Sequence, residues 1–262
     1  AIVGRASGVI NTVYAQGNIG TSTPNQFDPT LDVIAQYQIG GIVGGSGLEP
    51  LFFYNALNTA TIHTISSDAN ISSTGNPFVY VGGVIGRVSN TSQYKHNLGL
   101  LTNEGTIYSQ QLRSASTVTQ YIGGVIGLSE GNTYDINYDF GVFTNKANLD
   151  FTNRGSNIVH SGGVLVANHL ETTEFIHLYN TSTATISTSG YTGLNYTTLI
   201  YNVGTGGIIV SQAENNADLT ITGNTSISGV YHSVNNAQSL LRFVKNTGNI
   251  TYQNQTFTAE VV

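Results

Sequence analysis

Short runs in which polar and apolar residues alternate recur along the whole chain. Alternation is clear in residues 59–65 and 218–222, and Thr, Val, Ile and Tyr dominate such runs. A period of two is typical of half-buried β-strands, and β-branched and aromatic residues favour that conformation. Clusters of Gly, Asn and Ser bound the runs, as expected for turns. The pattern therefore predicts an all-β protein.

A pair of glycines followed by aliphatic residues recurs five times. The pairs are Gly40-Gly41, Gly82-Gly83, Gly123-Gly124, Gly162-Gly163 and Gly206-Gly207. Their spacings are 42, 41, 39 and 44 residues, and the first three copies add a closing glycine at Gly44, Gly86 and Gly127. A phosphate-binding loop would need a following Lys and the start of a helix, which these copies lack. Five copies favour a structural role for the glycines.

A second motif lies between the glycine pairs and consists of an asparagine followed by a small and an aliphatic residue. We identify copies that begin at Asn58, Asn103, Asn145, Asn180, Asn224 and Asn246. Each of the first five lies 17 to 21 residues after the second glycine of a pair. The two motifs together predict two alternating coil types with an underlying period of about twenty residues.

Strands and turns at this spacing predict a single-domain parallel β-helix, or β-solenoid, of about 10–12 coils of about 20 residues, with capping ends. An antiparallel sandwich or barrel and a five-bladed propeller are the alternative all-β architectures. We expect residues 1–36 to form a partial repeat and an irregular loop, residues 37–234 the solenoid, and residues 235–262 a cap or last coil. Residues 236–245 are apolar enough for a capping helix or a last strand. The apolar segments 1–3 and 257–262 are expected to cap the rod or to pair with a neighbouring copy.

The composition narrows the range of partners. Only 8% of the residues are charged, the net charge is −6, and there is no Cys. No basic stripe is present, so nucleic acid is not an expected partner. No apolar run approaches the roughly 18 residues that would span a bilayer. The chain begins with Ala1 and not with Met, which suggests a processed mature protein or a fragment. These features favour an extracellular or cell-surface protein.

The Gly-Gly-Val-Ile-Gly and Gly-Gly-Ile-Val-Gly units resemble the GLUG-type repeats of bacterial surface proteins. The resemblance covers five short stretches at about forty-residue spacing. The copies at Gly162 and Gly206 depart from the pattern, because they lack the closing glycine. The resemblance implies a secreted or surface repeat protein, and it carries over no catalytic residue.

Few residues are candidates for chemistry. Asp135, Asn137 and Asp139 alternate along one predicted strand, so they are a weak candidate for Ca²⁺ ligands; a solvated strand face is the alternative. We find no paired carboxylates of the kind that a glycosidase needs, no catalytic residue and no cofactor motif. The six His residues are scattered, and we expect them on the surface or in turns; His169 and Glu171 could share a face, but no third ligand follows.

Sequons for N-glycosylation are present in the number that chance gives in a chain this rich in Asn, Ser and Thr. They begin at Asn70, Asn90, Asn180, Asn195, Asn224, Asn249 and Asn254.

Two functions follow from these expectations. The first is an extracellular structural or adhesive β-solenoid, an adhesin or a filament or surface-layer subunit that associates with itself through its terminal segments. The second is a β-helix that binds or cleaves carbohydrate, with glycans as partners, because rows of Tyr and Asn on one face suit sugar stacking and hydrogen bonding. The sequence favours the first, without enzyme activity.

Overall fold

The computed structural model describes residues 3–19, 37–66, 78–90, 96–111, 119–131, 141–153, 158–181, 183–187, 194–222, 225–252 and 255–258. Every helix or strand assigned in these ranges is a β-strand, so the predicted all-β class is confirmed. We divide the strands into an N-terminal partial repeat, six repeats numbered 1 to 6, and one final strand. The partial repeat and repeat 1 contain β1 (Val3–Ala15), β2 (Asn18–Ile19), β3 (Tyr37–Gly40), β4 (Val43–Asn58) and β5 (Thr61–Ser66).

Repeats 2 to 4 each contribute four strands. They are β6 (Phe78–Gly82), β7 (Ile85–Asn90), β8 (Asn97–Asn103) and β9 (Ile107–Gln111); β10 (Thr119–Gly123), β11 (Ile126–Gly131), β12 (Val142–Asn145) and β13 (Leu149–Asn153); and β14 (Ile158–Gly162), β15 (Leu165–His169), β16 (Thr173–Asn180) and β17 (Thr183–Ser187).

Repeats 5 and 6 continue the same order with shorter strands. They contain β18 (Leu194–Thr197), β19 (Ile200–Asn202), β20 (Ile208–Asn215) and β21 (Asp218–Thr222); then β22 (Thr225–Ser228), β23 (Tyr231–Ser233), β24 (Leu240–Leu241), β25 (Val244–Asn246) and β26 (Asn249–Tyr252). The final strand is β27 (Gln255–Thr258). The segment 236–245 contains short strands, so of the two predicted alternatives the strand is found there and the capping helix is not.

Parallel pairing between successive repeats builds four sheets. The largest has 13 strands and includes β4, whose first part pairs with β7 and whose second part pairs with β8. A six-stranded sheet runs from β3 through β6, β10, β14 and β18 to β22. Two four-stranded sheets contain β2-β5-β9-β13 and β17-β21-β26-β27. In the described ranges the pairing of β26 with β27 is the one antiparallel contact.

The pairing register corrects the predicted period. Gly40 pairs with Gly82, and the same column continues through Gly123, Gly162 and Thr197 to Ser228. These steps are 42, 41, 39, 35 and 31 residues. A strand therefore meets its counterpart about forty residues later and not twenty, which gives six shortening repeats in place of 10–12 coils.

The register also corrects two motif assignments. Thr197-Thr198, and not Gly206-Gly207, occupies the glycine-pair position in repeat 5. Asn215, and not Asn224, follows Asn180 in the asparagine column. The closing glycine disappears after Gly127 because β15 has one residue fewer than β11 at this point, where their register shifts.

The core consists of columns of equivalent residues. The largest apolar cluster contains the aliphatic residue that follows the glycine-pair position in repeats 1 to 5, and all five are fully buried: Ile42, Val84, Val125, Val164 and, after Thr197-Thr198, Leu199. In the large sheet, the side chains along one buried column increase in size to the middle and decrease again, in the order Ala56, Leu101, Phe143, Leu178 and Ala213. A second cluster is built from Val81, Ile122 and Val159 of the six-stranded sheet and Ile62, Ile107 and Leu149 of a four-stranded sheet. Each repeat therefore covers the core of the next.

Candidate interaction surface and internal ladders

A column of buried asparagines, which we call the asparagine ladder, runs through repeats 1 to 4. The side-chain amide of Asn58 donates to Asn103 Oδ1 at 2.8 Å, Asn103 donates to Asn145 at 3.2 Å, and Asn145 donates to Asn180 at 3.3 Å. All four side chains have 0% exposure. A similar bond of 2.8 Å links Asn215 to Asn246. The ladder points in one direction, with each amide donating to the next repeat.

Three of the ladder amides also close the turn that follows them, whereas Asn180 Nδ2 donates to Thr198 O at 2.8 Å. Asn103 Nδ2 donates to Gly105 O at 3.1 Å, and the Gly105 amide donates back to Asn103 Oδ1 at 3.2 Å. Asn58 and Asn145 hold Ala60 and Ala147 in the same way. A buried amide is tolerated only when its donors and acceptors are bonded. The ladder is therefore a structural element.

The glycine pairs make room for this ladder. A methyl group on Gly83 would overlap the Asn103 side chain and the carbonyl of Gly124, and one on Gly124 would overlap Asn145 and the carbonyl of Gly163. Gly41 is enclosed in the same way by Asn58 and Gly83. The two sequence motifs are thus in contact inside each repeat. Gly206 instead lies between β19 and β20, where its amide donates to His169 O at 2.8 Å.

A row of aromatic rings runs along the molecule beside the glycine bends. Tyr80, Tyr121, His160, Tyr201 and His232 follow one another with ring centroids 5.0 to 5.5 Å apart. Burial raises the pKa of Tyr80 to about 12 and lowers the pKa of His160 to about 4, with the neighbouring His232 adding to the latter effect. Because their ring faces contact each other, these side chains contribute to packing.

An ion pair covers one end of the aromatic row. The Arg87 guanidinium lies 4.8 Å from the Tyr80 ring centroid, and Arg87 Nε donates to Glu130 Oε1 at 2.7 Å. No pattern in the sequence predicts this ion pair, since the two residues are 43 positions apart. The aromatic row was detectable only at Tyr80 and Tyr121, which both stand two residues before a glycine pair.

A polar cluster lies on the outer face of the large sheet around Glu214. Gln212 Nε2 donates to Glu214 Oε1 at 2.5 Å, and His177 Nε2 lies 3.6 Å from the same oxygen. The hydrogen bond from the Tyr179 hydroxyl is the largest effect that lowers the pKa of Glu214, so its carboxylate is charged at neutral pH. The His177 and Tyr179 rings stand edge to face with centroids 4.6 Å apart. A charged carboxylate beside two rings can accept hydrogen bonds from hydroxyl groups but cannot donate a proton as a general acid.

The remaining sequence-predicted residues are scattered. Asp135, Asn137 and Asp139 lie outside the described residues, as do the sequons at Asn70, Asn224 and Asn254. Asn180 is fully buried in the ladder, so the folded chain cannot carry a glycan there. Asn90, Asn195 and Asn249 lie on strands, and Asn249 Nδ2 donates to Asp218 at 3.1 Å.

Two of the six histidines depart from the surface or turn positions that we expected. His96 and His169 are both 2% exposed. His96 Nδ1 accepts the Leu51 amide at 2.9 Å, and His169 Nε2 lies 3.1 Å from Ser129 Oγ. Glu171 is exposed while His169 points inward, so the two do not share a face. In the described ranges, no group of three or more His, Cys, Asp or Glu side chains is placed to hold a metal ion.

The N-terminal end of the molecule carries a long strand edge. β1 pairs with β4 along one side, and no described strand pairs with its other side. The side chains of Val9 and Tyr14 are 67% and 52% exposed. Beside β1, a pocket of about 360 Å³ opens above Gly41, between β1, β2 and the turn at Ala60. In its described part, this end presents mostly backbone groups and uncharged side chains, with Arg5 as the charged residue of β1.

The C-terminal end is built differently. β27 folds back on β26 as an antiparallel strand, and the large sheet ends in the short strands β23, β24 and β25. Asn236 and Phe243 have positive φ angles of 53° and 46°. Such angles interrupt strand geometry, so this end presents a shorter and less regular edge than β1.

Comparison with known proteins identifies no relative of this chain. No protein-family model, no curated protein and no solved structure matches the chain. The GLUG-type resemblance therefore remains a prediction from the sequence. Among the described residues, no helix is long and apolar enough to cross a membrane.

Proposed function

We propose that this protein is an extracellular structural or adhesive scaffold, a β-solenoid with turns of about forty residues that associates with further copies through its strand edges. The observation that carries the proposal is the outer edge of β1, which extends over 13 residues. At about 3.3 Å per residue such an edge is about 43 Å long. Backbone donors and acceptors in a row of this length pair readily with another strand.

The sequence of β1 supports this role. Proteins usually protect an edge strand with charged residues or Pro. β1 contains one charged residue, Arg5, and no Pro. Its one irregularity is a register shift between Ala6 and Gly8, which leaves residues 8–15 in continuous register with β4. The segment from Val9 to Ala15 is uncharged and rich in β-branched residues, a composition that favours strand pairing.

The solenoid interpretation is supported by the pairing pattern. In all four sheets the parallel partner of a strand is its counterpart in the next repeat, as expected when a chain winds in successive turns. An extracellular location is consistent with the low charge, the absence of Cys and the resemblance to surface repeats. Weak net charge also reduces repulsion between copies.

Charge placed on the β1 edge tests the proposal. The double substitution Val9→Lys and Thr12→Lys puts two cations on exposed positions of β1 while leaving its inward residues intact. Leu100→Lys is the control, since Leu100 is 49% exposed on β8, which is paired on both sides within the large sheet. Sedimentation velocity over a hundredfold concentration range, with electron microscopy of the same samples, measures assembly. We expect oligomers of the parent chain and of the control, and monomers of the double variant. A monomeric parent chain at all concentrations contradicts the proposal.

Carbohydrate binding is the second candidate function, and the Glu214 cluster favours it. The His177 and Tyr179 rings are partly exposed beside the ionised Glu214 carboxylate, which is 8% exposed, so the cluster offers apolar ring surface and one charged hydrogen-bond acceptor to a sugar. A glycan array with the parent chain and Glu214→Gln tests binding, and a polysaccharide turnover assay tests cleavage. Binding that Glu214→Gln abolishes supports this candidate, and the absence of signal in both assays removes it.

A further inference from the structure

We propose that Tyr80 and Tyr121 form a site of oxidative modification, where a haem peroxidase acting with hydrogen peroxide couples the two phenol rings into a dityrosine cross-link. The two residues pair with each other across the neighbouring parallel strands β6 and β10. Their ring centroids are 5.5 Å apart and their planes are 12° from parallel. The cross-link joins repeats 2 and 3 covalently. The site lies inside the stack of repeats and does not depend on the proposed self-association through β1.

The aromatic row gives Tyr121 one tyrosine as a neighbour. Its ring contacts Tyr80 on one side and His160, with centroids 5.4 Å apart, on the other. Farther along the row, Tyr201 stands between His160 and His232. Dityrosine forms when two tyrosyl radicals meet, so coupling within the row is restricted to Tyr80 and Tyr121.

Neighbouring side chains hold the two rings in contact. The Phe78 ring stacks against both, with its centroid 6.4 Å from that of Tyr80 and 6.4 Å from that of Tyr121. The Arg87 guanidinium lies 4.8 Å from the Tyr80 centroid. Groups that are kept together in this way react as if each were present at a very high concentration, about 10⁵ M or more when well oriented. The fold therefore favours coupling inside one chain over coupling between chains.

One ring of the pair can meet an oxidant at the surface. Tyr121 is partly exposed, whereas Tyr80 is 4% exposed. The oxidant therefore removes an electron from Tyr121 first. The Tyr121 radical takes an electron from Tyr80 through the ring contact, and a second oxidation of Tyr121 completes the radical pair.

The coupling step balances with one molecule of hydrogen peroxide. Burial raises the pKa of Tyr80 to about 12 and also raises the pKa of Tyr121, so both phenols are protonated at neutral pH and each loses one proton with its electron. One carbon–carbon bond forms between the ring carbons that neighbour the two oxygens. The hydrogen on each of these carbons moves to the oxygen of its own ring, which restores both hydroxyl groups. The two electrons and two protons that were released reduce hydrogen peroxide to two molecules of water.

The cross-link would brace a chain that cannot form a disulfide. The sequence contains no Cys. Tyr80 and Tyr121 are 41 residues apart. A covalent link across a loop of this length restricts the unfolded chain, so it should raise the melting temperature by about 10 °C.

Peroxidase treatment of the purified 262-residue chain with a limiting amount of hydrogen peroxide tests the site. Denaturing electrophoresis isolates the single-chain product, which excludes links between copies. Dityrosine fluorescence of this product and mass spectrometry of its peptides measure and locate the link. We expect a loss of two hydrogen atoms and a peptide pair joined through Tyr80 and Tyr121.

Conservative variants separate this pair from other tyrosines. Tyr80→Phe keeps the ring but lacks the phenol, and it should lower the single-chain dityrosine signal at least tenfold. Tyr54→Phe is the control, since Tyr54 is 62% exposed outside the row, and it should leave the signal unchanged. Absence of the link in the parent chain, or an equal signal in Tyr80→Phe, overturns the inference. Equal melting temperatures of the linked and unlinked parent chains overturn the bracing role. Each readout concerns single chains, so the outcome is independent of the test of self-association.

Discussion

Removal of one asparagine from the middle of the ladder should destabilise the protein strongly. Asn103→Ala deletes four hydrogen bonds: one accepted from Asn58 at 2.8 Å, one donated to Asn145 at 3.2 Å, and the pair of 3.1 and 3.2 Å with Gly105. A buried hydrogen bond contributes about 0.5–1.5 kcal/mol net. Four bonds lost together correspond to about 2–6 kcal/mol. For a domain whose total stability is about 5–15 kcal/mol, this is a large fraction.

Two further variants separate the ladder from other causes. Asn55→Ala removes an exposed asparagine of the same strand as Asn58 and should change the free energy of unfolding by less than about 0.5 kcal/mol. Asn103→Asp keeps the shape of the side chain but loses both amide donors and faces the oxygens of Gly105 and Asn145. These oxygens disfavour the carboxylate, so the pKa of the new carboxyl should rise on folding. Its destabilising effect should therefore grow as the pH rises from 4 to 7.

Urea unfolding followed by circular dichroism measures all three variants. We expect a midpoint far below that of the parent chain for Asn103→Ala and an unchanged midpoint for Asn55→Ala. If Asn103→Ala and Asn55→Ala have equal effects, the ladder does not stabilise the fold and the reasoning is refuted.

Three other predictions follow from single positions. Gly124→Ala should lower the free energy of unfolding by about 3 kcal/mol, because its methyl group meets Asn145 and the Gly163 carbonyl. Gly229→Ala, with open space around it, should leave the free energy of unfolding unchanged, and urea titrations measure both variants. Burial lowers the pKa of His169 to about 3, so between pH 6.5 and 3 only the unfolded chain binds a proton there. The free energy of unfolding should therefore fall by about 5 kcal/mol as the pH is lowered across this window. His169→Gln should flatten the pH profile of the melting temperature, and an unchanged profile would contradict the prediction. Ala15→Asn should extend the ladder to Asn58 and raise stability by about 1 kcal/mol in thermal unfolding, while Asn11→Ala on the exposed face of β1 should not.

The sequence predicted the class of structure because strand patterns are local. Alternation in segments such as 61–66 depends only on neighbouring residues, and the β5 strand lies there. The repeat motifs were recognised for the same reason. Gly40, Gly82, Gly123 and Gly162 occupy one column of the six-stranded sheet, in the order in which the sequence presents them.

The period was wrong because two motifs that alternate along the chain were assigned to two kinds of coil. Gly83 and Asn103 are twenty residues apart but contact each other inside one repeat. Alternation along the sequence cannot distinguish two positions in one repeat from equivalent positions in two repeats. The error at Gly206-Gly207 has a related cause, since its 44-residue spacing looks regular while the true column shortens to 35 residues at Thr197.

The interaction surfaces depend on contacts between distant residues, which the sequence does not reveal. The Glu214 cluster joins residues of β16 and β20, which are neighbours only through the register of the large sheet. The pocket above Gly41 depends on which strands of the partial repeat pair with repeat 1. The expectation that the terminal segments mediate self-association stays a prediction.

The central claim is that each strand pairs in parallel with its counterpart about forty residues later, and engineered disulfides test it most directly. The chain has no Cys, so introduced pairs are unambiguous. Thr102 and Thr144 pair across β8 and β12 and are partly exposed, at a separation that suits a disulfide. We predict that Thr102→Cys with Thr144→Cys oxidises to an intramolecular disulfide, and that Thr102→Cys with Tyr121→Cys, nineteen residues apart, does not. Disulfide formation in the second pair and not in the first would contradict the account.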